Sequence, residues 1–76
     1  MNAGMLWLDD NPTRSVEEKI LRAARYYQEK YGTAPELCFV NRATLSQETQ
    51  VGAIHVLPAL QILPHHFWIG RERPQA

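Results

Sequence analysis

Ser15-Val16-Glu17-Glu18-Lys19-Ile20-Leu21-Arg22-Ala23-Ala24-Arg25-Tyr26-Tyr27-Gln28-Glu29-Lys30-Tyr31-Gly32 is the stretch on which the fold turns. Ser15 and Glu18 have the S-x-x-E spacing of a capping box, in which each side chain satisfies an orphaned amide of the first helical turn. Glu17 and Glu18 stand at the positive end of the helix dipole. Val16, Ile20, Ala23, Ala24, Tyr27 and Tyr31 recur at helical spacing and form one apolar stripe. Glu18 and Arg22 make an i,i+4 pair with the acid first, the better orientation. Gly32 suits the left-handed residue that ends a helix, and Pro35 bars continuation. The pattern predicts a helix over 16–31.

Short apolar runs surround this helix. Residues 5–8 (Met-Leu-Trp-Leu) read as a strand stopped by the turn formers Asp9-Asp10-Asn11-Pro12. Residues 37–41 read as a second strand, 51–57 as a third with a bulge at Gly52, and 66–70 as a fourth. Residues 42–50 form a polar connector with room for one helical turn. Residues 1–4 read as a loose lead-in and 71–76 as a frayed polar tail. The expected fold is a single α+β domain over 1–76 in β-α-β-β-β order, one main helix on a three- to four-stranded mixed sheet. A crossover through the helix would set the first two strands parallel.

Neighbouring side chains on a strand point to opposite faces. Met5 and Trp7 therefore oppose Leu6 and Leu8, Leu37 and Phe39 oppose Cys38 and Val40, and Phe67 and Ile69 oppose Trp68. Both faces are apolar, the pattern of a sheet covered on both sides. One helix covers one face. The other needs either the 57–63 segment, with Leu57, Leu60, Ile62 and Leu63, or a second copy of the chain. A domain of 76 residues buries only about 60% of its unfolded surface, and such chains usually need a staple. Cys38 is the only cysteine, so no disulfide within the chain supplies one. The expectation is a homo-oligomer, by default a twofold dimer. Phe67, Trp68 and Tyr26 are its interface candidates: Phe67 and Trp68 cannot both enter one core, and Tyr26 stands off the helical stripe.

Eight Lys and Arg balance eight Asp and Glu, for a formal net charge of zero. Nothing in that balance attracts a polyanion at long range. Arg14, Lys19, Arg22, Arg25 and Lys30 are interleaved with Glu17, Glu18 and Glu29, as on a solvated face, so nucleic acid is not an expected partner. No apolar run approaches the roughly 20 residues that cross a bilayer, so no membrane association is expected. The N-terminus lacks the pattern of a signal peptide. With a lone cysteine, this points to a reducing, cytoplasmic setting.

Asp9 and Asp10 are the candidate metal ligands. If the first two strands are parallel neighbours, Asn41 and Arg42 join them at one sheet edge, where oxygen ligands suit a hard cation or close carboxylates raise a pKa. The same residues are also ordinary turn formers. His55, His65 and His66 with Cys38 lack any standard zinc spacing. Ser15 is explained as a cap, Ser46 has no glycine elbow, and the isolated glycines make no phosphate loop. Cys38 reads as a small buried hydrophobe. No catalytic residue and no cofactor are indicated.

The stretch Leu6-Trp7-Leu8-Asp9-Asp10-Asn11-Pro12 resembles the opening of a bacterial response-regulator receiver domain. That resemblance implies an acidic pair holding magnesium beside a phosphoacceptor aspartate. The chain departs from the pattern further on: the second strand ends in Asn41, the third carries no acid, no lysine follows Lys30, and the length is too small for the repeated strand–helix units. The expected function is a non-enzymatic protein-interaction module, homo-oligomeric. The alternatives are a metal-dependent acid-site enzyme or metal binder using Asp9, Asp10, Asn41 and Arg42, and a nucleic-acid-binding accessory protein.

Overall fold

A computed structural model describes residues 3–71. The helix α1 (Val16–Tyr31) forms where its pattern predicts. Glu18 N–H donates to Ser15 Oγ at 3.1 Å, and Ser15 N–H donates to Glu18 Oε1 at 3.1 Å, which completes the capping box. This draws the Glu18 carboxylate back to the cap, and no ion pair to Arg22 forms among the described residues. At the other end Gly32 adopts φ 76°, and its N–H donates to Gln28 O at 2.8 Å. A side chain there would strain the left-handed backbone. Ile20, Ala23 and Tyr27 are buried, with Val16 and Ala24 packed beside them. Tyr31 falls outside the stripe: it is exposed and lies against the Tyr27 ring, centroids 4.6 Å apart.

The sheet has five strands: β1 (Ala3–Leu8), β2 (Leu37–Asn41), β3 (Thr49–Val51), β4 (Ile54–Ala59) and β5 (His66–Arg71). Their order is β1-β5-β2-β4-β3. β5 runs antiparallel to both β1 and β2, β2 and β4 are parallel, and β3 and β4 are antiparallel. The expected single strand over 51–57 is instead a hairpin. Val51 pairs with Ile54, and Gly52 at φ 60° turns the chain. Positive φ at the first of two turn residues is what a tight hairpin needs, so Gly52 marks a turn rather than a bulge. Gly4 and Arg71, expected in loose ends, belong to β1 and β5. The connector after β2 makes turns, with the Thr44 and Leu45 amides donating to Asn41 O, but no helix.

β1 and β2 do point the same way, as a crossover through α1 requires, but they are not neighbours. β5 fills the slot between them and gives each an antiparallel ladder. α1 covers one face of this sheet. There Cys38 sits between its ladder partners Val56 and Ile69, and Val40 pairs with Phe67. Ile20, Cys38, Val40, Val56 and Ile69 are fully buried at 0% exposure. The opposite face carries Leu6, Leu8, Phe39, Leu57 and Trp68. Phe39 and Trp68, directly opposite on β2 and β5, pack at a ring distance of 5.5 Å. Gly4 lets the Trp68 indole lie across β1, since a Cβ at that position would clash with Cζ2 and Cε2 of the indole.

Candidate functional site

Asp9 follows β1 and is the one buried charged side chain among the described residues, at 7% exposure. Its N–H donates to His65 O at 3.0 Å, which extends the β1–β5 ladder by one rung. Its Oδ1 accepts from Asn11 N–H at 3.1 Å, and Arg14 Nη1 donates to Oδ1 at 3.2 Å and Oδ2 at 3.3 Å. Asn11 Oδ1 in turn accepts from the Thr13 amide and hydroxyl at 2.9 and 2.7 Å. These are side-chain-to-backbone bonds of the type that shape turns. The acidic stretch therefore clamps the loop from β1 into α1, with the Arg14 guanidinium neutralising Asp9. Asp10 points into solvent.

The expected convergence with Asn41 and Arg42 required β1 and β2 to be neighbours, and β5 separates them. The Asn41 amide is already engaged: Nδ2 donates to Ile62 O at 2.8 Å, and Oδ1 accepts from Ala43 N–H at 2.8 Å. Arg42 is exposed. His55 lies on β4, His65 takes a positive φ of 65° in the turn before β5, and His66 Nδ1 contacts Pro64 O at 2.8 Å. Among the described residues, no three His, Cys, Asp or Glu side chains gather closely enough to hold a metal ion. Cys38 is sealed in the core, where burial pushes its thiol up from 9.0 to about 12.

The sheet face opposite α1 leaves Leu6 and Leu8 exposed. The loop after β4 reaches over part of it: Ile62 and Gln61 border a shallow hollow with Phe39, Ala59 and Trp68. The loop does not close the face. Leu60 and Leu63 remain 77% and 65% exposed, and Leu6 and Leu8 on β1 remain 61% and 58% exposed. Of the residues expected at an interface, Phe67 is 1% exposed and fills the core, because its position in β5 turns it toward α1. Trp68 stands on the open face. Tyr26 is exposed on α1 and packs on Trp7, centroids 5.0 Å apart. Leu6 and Leu8 were not among the expected interface residues, although the two-sided apolar pattern of the first strand was their signal.

Comparison with family models finds none that matches this chain, and comparisons with curated proteins and with solved structures likewise find no match. The fold thus defines the class: a small α+β domain with one helix on a five-stranded mixed sheet. None of its described helices is long and apolar enough to cross a membrane.

Proposed function

We propose that the chain is a small non-enzymatic protein-interaction module that works as a homo-oligomer, with a second copy of itself on the uncovered sheet face. One observation carries this reading. By the alternation of the pleat, the strand residues on that face are Gly4, Leu6 and Leu8 of β1, His66, Trp68 and Gly70 of β5, and their ladder partners on β2 and β4, and none is Asp, Glu, Lys or Arg. Depletion of charge with enrichment of aromatic residues is the compositional mark of an interface centre. A face without charge meets its own image with no like-charge repulsion, which favours a twofold contact. Contiguous exposed apolar surface of this kind marks association. The lone, unreactive thiol supports a reducing, cytoplasmic setting.

The test is sedimentation equilibrium at micromolar concentration on the wild type, Leu8→Glu and Leu63→Glu. Both leucines are exposed, so both variants keep the fold, checked by circular dichroism. The wild type is expected to be dimeric and the variants monomeric. A wild-type chain that stays monomeric while melting cooperatively refutes the proposal.

A further inference from the structure

We infer that the outer edge of β1 accepts an extended acidic segment of a partner protein, added to the sheet as a further strand. β1 ends the sheet order. Asp9 N–H bonds across to His65 O, so by the period of two Met5 and Trp7 turn their amides and carbonyls toward β5. Gly4, Leu6 and Leu8 turn theirs outward, away from β5, with no strand beyond among the described residues. Exposed edges are normally blunted by charge, proline or shortness. The other edge, β3, is three residues long, with Thr49 and Gln50 exposed. β1 is six residues long and carries neither a charge nor a proline.

Beside this edge, on the helix side, lies a hollow of about 290 Å³ lined by Trp7, Leu21, Arg22, Arg25, Tyr26 and Glu29. Arg22 and Arg25 have no ion-pair partner among the described residues. Trp7 Nε1 is buried there without a hydrogen-bond acceptor. Residues directly opposite each other on paired strands share a face. Residues of an added strand opposite Leu6 and Leu8 therefore lie on the open face and should be apolar. Those opposite Met5 and Trp7 stand on the helix side at the hollow, where Asp or Glu would meet Arg22 and Arg25.

A second copy fits this edge less well. Antiparallel self-pairing of β1 has its twofold axis normal to the sheet, which turns each arginine-bearing hollow toward its own image. The inference uses the edge of the sheet, not its face, and so stands apart from the dimer proposed above.

The experiment is amide hydrogen exchange and titration by NMR, on the wild type and on Leu63→Glu. The probes are two short synthetic peptides, one alternating valine with glutamate and the other valine with lysine. The glutamate peptide is expected to protect the Gly4, Leu6 and Leu8 amides and leave Met5 and Trp7 unchanged. It is expected to bind about tenfold more tightly than the lysine peptide, the size two exposed ion pairs supply. Arg22→Glu/Arg25→Glu, both at exposed positions, should reverse that preference. Equal affinity for both peptides, or no protection, overturns the inference. So does protection of Leu6 and Leu8 without peptide that grows with protein concentration, because that is self-pairing.

Discussion

Cys38 is sealed in the core, and Asp9 is the one buried charged side chain among the described residues. Desolvation raises the Cys38 thiol from 9.0 to about 12, so well below pH 9 it is neutral in both the folded and the unfolded chain and adds no pH dependence. Above pH 9 the unfolded chain ionises first, and stability falls with a slope approaching about 1.4 kcal/mol per pH unit. Urea unfolding of wild type and Cys38→Ala on either side of pH 9 measures this: the alanine variant should lack that part of the decline. The native thiol should also resist alkylation at neutral pH until the protein unfolds. Asp9 is held by Arg14 and Asn11, so its carboxylate stabilises a turn. Asp9→Asn keeps the bond to the Asn11 amide and loses the charge opposite Arg14, an expected cost of about 1–2 kcal/mol. Millimolar magnesium should leave the wild-type melting temperature unchanged. A rise that Asp9→Asn abolishes would restore the acid stretch as a metal site.

At the scale of the element, α1 owes its ends to local bonds and its place to one apolar stripe. The two contributions separate by mutation. Ser15→Ala removes one capping bond and should cost about 1 kcal/mol. Ile20→Ala opens a cavity at a position with 0% exposure and should cost about 2–5 kcal/mol. Urea denaturation of both variants checks the order. An Ile20→Ala loss no larger than that of Ser15→Ala would mean that α1 is not clamped to the sheet as the burial indicates. The β3–β4 hairpin shows the same division: the alternation of Val51, Ile54 and Val56 toward the core is local, but their pairing depends on a single glycine at φ 60°.

At the scale of the whole molecule, the decisive fact is a two-layer structure whose sheet is apolar on both faces. Five strands share one helix, so burial is one-sided. Association through the uncharged face should be nearly independent of salt, because there are no ionic contacts to screen. Repeating the sedimentation measurement from low to high ionic strength tests this. A dimer that dissociates steeply with salt would have to be held by charges such as Arg22 and Arg25, and the open face would then lose its role.

Read alone, the sequence determined the helix from Ser15 to Gly32 with both its caps, because capping and amphipathic spacing act within a few residues. It also placed β1, β2 and β5 and showed that their faces are both apolar, since alternation is a local property, but it merged the β3–β4 hairpin into one strand. It showed that Phe67 and Trp68 must part company, without saying which enters the core. Only the tertiary structure decided that Phe67 does, because the answer depends on the side of β5 that α1 covers. Strand order was decided there too: β5 enters between β1 and β2 through pairings more than twenty-five residues apart in the chain, and no local pattern encodes a partner that distant. That insertion separated Asp9 from Asn41, left β1 as an open edge, and turned an expected acid cluster into a clamp on a loop.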